Sequence, residues 1–266
     1  MSEDRTRMTL SVVMPAYNEA RTIEASLQRL RAVPLDLEII AIDDGSTDGT
    51  TEILRRLAER GVVDHLIVQD RNRGKGAAVR AGIAAATGGA VVVQDADLEY
   101  DPVQLPRLLE PIEQNVADAV FGSRFLGSPR RVLYFWHRVG NGFLTLVSNM
   151  FTDLNLTDME TCYKMMRTDV AQRLPLRACR FGIEPEVTAR LAQAGARIYE
   201  VPISYHGRTY IEGKKINWRD GVAAFWHILR FNLLPPRPDP LPATPAAPAL
   251  PKTTAAPAAS VDPGRG

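Results

Sequence analysis

Cysteine is scarce in this chain of 266 residues: Cys162 and Cys179 are the only two. They match no metal or redox spacing and provide no disulfide framework, which suits a reducing compartment. An excess of one charge is also missing. With 32 basic and 31 acidic residues the formal net charge is +1, so no overall electrostatic signature points to nucleic acid as a partner. Long apolar runs are absent too; no window reaches the roughly 18 clean apolar residues that a spanning helix needs. Residues 132–151 come near but are interrupted by His137, Arg138, Asn141 and Asn149, and residues 216–234 by Arg219, Asp220, His227 and Arg230. Neither segment is expected to cross a bilayer. Residues 1–8 are polar and carry no signal-peptide core, and no internal repeat is visible. What remains is a chain of 45% hydrophobic residues, ample for a core.

The apolar residues fall into short runs. Residues 10–14, 37–42, 65–68, 90–94 and 119–122 are β-branched or small stretches of strand length. Between them lie helical patterns: Ile23, Leu27 and Leu30, with Asn18 as a candidate N-cap; Ile53, Leu54 and Leu57, closed by Gly61; and a small-residue segment from the RNRGKG stretch at 71–76 to about Ala86. A further helix starts at Pro102. Strand–helix alternation through residue 122 predicts an α/β fold with a doubly wound, mostly parallel sheet. Beyond it the spacing predicts a helix over 132–151, a loop and short strand over 156–166, a helix over 184–194 and a strand over 197–201. An apolar stripe follows at Trp218, Val222, Phe225, Trp226, Leu229 and Leu233. Residues 1–8 are expected to be a flexible N-terminus and 9–234 one domain, with a first half at 9–124 and a second at 125–234. Residues 235–266 hold 10 of the 19 prolines and eight alanines, and are expected to be a disordered tail.

Three polar loops at strand ends, 15–19, 43–49 and 95–99, would all open on the carboxyl edge of such a sheet, where open α/β sheets bind ligands. The third is the most telling. Asp95-Ala96-Asp97, with Glu99 two residues on, follows a buried strand. Carboxylates so close repel one another unless a divalent cation neutralises them, and such a cation suits a diphosphate. A solvated acidic turn before the helix start at Asp101-Pro102 is the plainer alternative.

Taken together, P-A-Y-N-E at 15–19, D-D-G-S-T-D-G-T at 43–50, G-K-G at 74–76, D-A-D at 95–97 and G-S-R at 122–124 resemble a family 2 glycosyltransferase of GT-A fold. D-M-E-T-C-Y-K at 158–164 and Lys214-Lys215 resemble its dolichyl- and polyprenyl-phosphate glucosyl- or mannosyltransferases. The resemblance covers roughly residues 8–232. It implies inverting transfer of a hexose from a UDP- or GDP-sugar onto a polyprenyl phosphate, by a cytoplasmic enzyme held peripherally at the inner membrane face. In that family Pro15, Tyr17, Glu19, Asp43 and Asp44 hold the nucleoside, Lys75 lies near the diphosphate, and Asp95, Ala96 and Asp97 bind donor and metal (Mg²⁺ or Mn²⁺); Glu99, where the family often has glutamine, is expected to reach the metal directly or through water. Carboxylates do accept from ring N–H and ribose hydroxyls, and a tyrosine packs on a base. Ser46, Thr47 and Asp48 read instead as turn and capping residues.

A polyprenyl phosphate is already anionic, so it needs charge neutralisation more than a base. Arg124 matches the acceptor-phosphate arginine of the family, with Arg138, Arg208 and Lys214 as helpers or as a basic face toward anionic lipid. Asp158 matches a carboxylate near the acceptor and is either a base or the partner of Arg124. The other reading is a family 2 enzyme for a hydroxyl acceptor in cell-envelope or polysaccharide synthesis, with Asp158 or Glu160 as base. Glu184 and Glu186 read as first-turn helix acids. The histidines lack ligand spacing, and Trp136, Trp218 and Trp226 read as packing or as membrane-interface residues. Nothing in the composition decides whether the chain forms a homo-oligomer.

Overall fold

In the computed structural model, which describes residues 8–127, 131, 134–180, 182–207, 218–234 and 236–242, one sheet organises the chain. Its strands are β1 (Leu10–Ala16), β2 (Leu37–Asp43), β3 (His65–Val68), β4 (Ala90–Val93), β5 (Ala119–Ser123), β6 (Lys164–Arg167) and β7 (Ile198–Pro202). Their order is β3-β2-β1-β4-β6-β5-β7. β1, β2, β3 and β4 pair in parallel, as do β5 and β7, while β6 runs antiparallel between β4 and β5. The sheet is therefore mostly parallel, as the strand–helix alternation predicts. β4 is four buried residues, AVVV, because helices cover both faces of a parallel sheet's interior.

The helices are α1 (Ile23–Arg31), α2 (Thr50–Glu59), α3 (Lys75–Ala85), α4 (Leu105–Glu113), α5 (Phe135–Thr152), α6 (Thr168–Arg173), α7 (Ile183–Gln193) and α8 (Trp218–Leu233). α3 is built of small residues because it lies directly on β1 and β2. A Cβ on Gly82 would stand 2.3 Å from Val13 Cγ1, so the helix can sit this close only with glycine there. The register pairs Ala16 with Asp43, so β1 and β2 end level, while β4 ends at Val93 opposite Val13, three residues earlier. Because these strands run parallel, the three polar loops leave by one edge.

Three local expectations are corrected. Asn18 is not the cap of α1, which starts at Ile23 after Thr22; Asn18 takes a left-handed conformation (φ 54°) and its side-chain oxygen accepts from Thr47 N–H at 2.9 Å, tying the first loop to the second. The helix begun at Pro102 is a 3₁₀ turn, capped by Asp101, that leads into α4. The described part of the proline-rich tail, residues 236–242, is docked: Leu241 N–H donates to Ala194 O at 2.9 Å and its side chain packs on the core. Helices α5 and α8 pack together around Leu144, Met159, Ala224 and Ile228. Their outer faces leave Phe135, Trp136, Val139, Phe143, Leu146 and Met150, with Val222, Phe225, Trp226 and Leu233, exposed.

The opposite, amino edge of the sheet holds a polar knot. Glu38 accepts from the Ser11 hydroxyl, from Thr87 Oγ1 (2.7 Å) and from Thr87 N–H (2.9 Å) and Gly88 N–H (3.3 Å). Burial alone would raise its pKa, but these donors outweigh it and hold the carboxyl at about 2.

Candidate active site

The first two loops brace each other. Ser46 and Thr50 hydroxyls accept from Asn18 and Glu19 N–H (both 3.0 Å), and Asp48 accepts from Ala20 N–H at 3.1 Å; the cap of α2 itself is Gly49, without a side-chain bond. Pro15 lies in β1, Tyr17 stands exposed on the rim, and Glu19 accepts from Thr22 Oγ1 at 2.8 Å. Asp43 is buried and accepts from Ser46 N–H (3.2 Å) and Thr51 Oγ1. Asp44 accepts from Arg73 N–H (2.7 Å) and Gly74 N–H (2.8 Å), fixing the RNRGKG loop beside the acidic one. Gly74 (φ 90°) is required here: a Cβ would meet Cys179 O at 2.3 Å. A cleft of about 740 Å³ opens beside this loop, lined by residues such as Gln69, Arg71, Arg73, Arg80 and Cys179. Asp95 is not among its lining residues, so the chemistry is placed by the side chains and not by this cleft.

At the first turn of α3, Lys75 Nζ lies 3.0 Å from Asp95 and 2.9 Å from Glu184, the first-turn acid of α7. Burial disfavours its charge, but Asp95, Cys162 and Glu184 outweigh this and hold its pKa well above the usual lysine range. Lys75 is thus a fixed cation at the β4 edge and not a solvated loop lysine. Ala96 is buried; Asp97 accepts from Glu99 N–H at 3.1 Å, and Leu98 between them is left-handed (φ 64°), a strained turn of the kind that clusters at functional sites. Glu99, expected as a further metal ligand, has one carboxylate oxygen accepting from Tyr205 Oη at 2.6 Å, which ties this loop to the segment after β7. Among the described residues no three His, Cys, Asp or Glu side chains gather to hold an ion.

The second half supplies the facing wall. Arg124, just past β5, grips Asp158 with Nε and Nη2, each 2.7 Å from a carboxylate oxygen, and its own N–H adds a third bond at 3.0 Å. Burial works against the guanidinium, yet Asp158 raises its pKa well above normal. Asp158 is wholly buried, and Glu200 of β7 holds its turn by accepting from Thr157 and Asp158 N–H at 2.9–3.2 Å. Two of the five N–H donors of Arg124 serve Asp158. Arg138 of α5 stacks on Phe125 with its guanidinium 3.8 Å from the ring centre, and Arg124 lies 5.6 Å from the same ring. Arg208 and Lys214 lie outside the described residues.

Three members of the site escape sequence reasoning or are misread by it. Glu184 is the partner of Lys75, far away in the chain and joined to it only by the fold. Lys164 is buried, donates to Met159 O and Thr161 O at 2.6 Å, and has its pKa lowered by burial despite Glu184, Glu160 and Asp158. Glu160 has a buried Oε1 without a hydrogen-bond partner; burial first, then Glu184, pushes its pKa up to about 7 against the pull of Lys164 and Arg124. Glu186 is structural, accepting from Arg177 and Ala178 N–H at 2.8 and 2.7 Å.

A strand-end Asp-x-Asp, a half-buried lysine beside it and a facing arginine thus lie on one mostly parallel sheet. Residues 11–174 match the family described as glycosyl transferase family 2, and the chain belongs to that family: it is a glycosyltransferase. Its relatives include the undecaprenyl-phosphate mannosyltransferase of Micrococcus luteus, 32% identical over 243 residues, which cover 85% of this chain and 99% of that one. Another is the dodecaprenyl-phosphate galacturonate synthase of Rhizobium johnstonii, 27% identical over 76% of this chain and 60% of that one. Among solved structures, glucosyl-3-phosphoglycerate synthase from Mycobacterium tuberculosis, in complex with Mn²⁺, UDP and its product, superposes with a TM-score of 0.65 at 22% identity. That match covers 86% of this chain and 81% of the other, and shows the shared fold.

Proposed function

We propose that this enzyme moves a sugar from a UDP- or GDP-sugar onto a polyprenyl phosphate, with inversion, at the cytoplasmic membrane face. The observation that carries the reading is Arg124: a half-buried guanidinium clamped by Asp158, with Arg138 on the same Phe125 ring. Both oxygens of Asp158 are committed to Arg124, so it is disposed as an anchor and not as a base. A phosphate acceptor needs no base; it needs cations that offset its repulsion from the donor diphosphate. The names of the relatives support the same acceptor class.

The donor residues fit a divalent ion in a particular way. Asp95 and Asp97 offer two hard-oxygen donors on one loop, and Mg²⁺ or Mn²⁺ is commonly held by one or two carboxylates completed by substrate phosphates and water. Glu99, engaged by Tyr205, is not needed for such a set. When bound, the ion supplies neutralisation of the charge that grows on the leaving diphosphate. Lys75 adds a fixed positive charge beside Asp95, and Asp43, Asp44, Tyr17 and Glu19 frame the place for the nucleoside. The membrane face of the reading rests on the exposed apolar rows of α5 and α8. No described helix is long and apolar enough to cross a membrane.

The test is a panel of radiolabelled UDP- and GDP-sugars offered with a polyprenyl phosphate in detergent or with lipid-free hydroxyl acceptors. Label in the lipid phosphate is the expected result. Transfer to the hydroxyl acceptors alone would reject it.

A further inference from the structure

We propose that Glu160 holds a hydroxyl of the sugar being transferred and so helps to choose the donor. The proposal rests on the glycosyl-transfer reading but not on the identity of the acceptor.

Buried carboxylate oxygens almost always have a partner. Around the crevice the rule is kept by Asp158 with Arg124, by Glu184 with Lys75, and by Glu200 with two backbone N–H groups. Among the described residues two buried carboxylate oxygens lack a hydrogen bond: Oε1 of Glu186, which still has the Arg190 guanidinium at 3.8 Å, and Oε1 of Glu160. Leaving such a group unsatisfied is costly, so it calls for a partner that arrives with substrate.

Its place decides what that partner is. The charges that act on Glu160 are Glu184, which belongs to the Lys75–Asp95 cluster, Arg124 with Asp158 on the facing wall, and Lys164. The leaving diphosphate belongs to the first cluster and the acceptor to the second. The sugar ring must span the gap, and charges of both sides reach Glu160. A carboxyl repels a diphosphate or phosphate but bonds a hydroxyl in either of its forms, as acceptor when ionised and as donor or acceptor when protonated. Sites built to hydrogen-bond a hydroxyl reject the analogue lacking it far better than apolar pockets reject a change in size.

The experiment measures Kd, with Mn²⁺ present, for UDP, GDP, their glucose, galactose and mannose conjugates, and single-deoxy analogues of the best-bound conjugate. In the wild-type enzyme one deoxy analogue is expected to bind at least about tenfold more weakly than its parent, as suits one hydrogen bond to a charged group. In Glu160→Ala that ratio should fall below about threefold, while the Kd of the bare nucleoside diphosphate stays within about twofold. If Glu160→Ala does not fold, Glu160→Gln, which keeps shape and one acceptor oxygen, should at least halve the ratio. Unchanged ratios for every analogue in the variant that folds would overturn the proposal. So would a defect confined to transfer onto a hydroxyl acceptor, which would make Glu160 a base. A wild-type enzyme that binds the sugar nucleotides but never labels polyprenyl phosphate would remove only the acceptor reading; one that binds none of them would remove both.

Discussion

Carboxylates at the two edges of the sheet respond to pH in opposite directions. Glu38, held at about 2 by four donors, contributes stability that is present above the unfolded value near 4.5 and is lost as pH falls through about 2. Glu38→Gln is therefore expected to cost on the order of 2–3 kcal/mol at pH 7 in denaturant melts, with the gap to wild type closing toward pH 2. Glu160, raised to about 7, does the reverse: its contribution is intact below about 4.5 and is lost as pH rises through 7. Glu160→Gln should melt higher than wild type at pH 8 and alike at pH 4.5, the usual mark of a group kept for function at a cost to stability. A wild type more stable than Glu160→Gln at pH 8 would remove the strain assigned to it. The metal residues give a further residue-scale expectation. Asp97→Asn should abolish transfer while leaving the melting curve within about 1 °C, and chelation should do the same reversibly; full activity in excess chelator would contradict it.

At the scale of elements, α5 and α8 carry the most unusual surface. Phe143 and Phe225 stack across the two helices with ring centres 6.1 Å apart, and Trp136 and Trp226 extend the same apolar face. Large aromatic side chains left in water in this number mark a docking face, and Trp beside basic residues suits a bilayer interface. Sedimentation with vesicles containing anionic lipid should fall by at least about tenfold for Trp136→Ser with Trp226→Ser; unchanged binding would reject this face. The tail is the other element at issue. Because Leu241 docks on Ala194, truncation after residue 242 should leave the melting temperature unchanged, whereas truncation after 234 should lower it by a few degrees. The repeating pattern of apolar strands and helices made most elements readable in advance. A single docked leucine among prolines has no period to betray it. α6, only six residues long, likewise hides between β6 and the Leu174 turn.

Across the whole molecule, the acidic rim was legible because parallel strands must bring the loops that follow them to one edge. Arg124 and Asp158 were legible as a pair to be weighed, since each sits in a short, distinctive stretch. The links that only folding creates were not: Lys75 meets Glu184, Glu99 turns to Tyr205, and one carboxylate oxygen of Glu160 is buried without a hydrogen bond. Local pattern carries no information about contacts so far apart in the chain. The resulting site has two charged walls, Lys75 with Asp95 and Asp97 on one side and Arg124 with Asp158 on the other, and the account stands or falls on what the second wall binds. The most direct measurement is steady-state transfer to polyprenyl phosphate by Arg124→Ala, alongside the Kd of the sugar nucleotide. Loss of one charge-assisted contact to the acceptor should slow transfer by about 30- to 1,000-fold, with donor Kd within about threefold of wild type. Arg124→Lys should recover only part of the rate, because an ammonium cannot copy the guanidinium fork. Normal transfer to the lipid phosphate by Arg124→Ala would contradict the account.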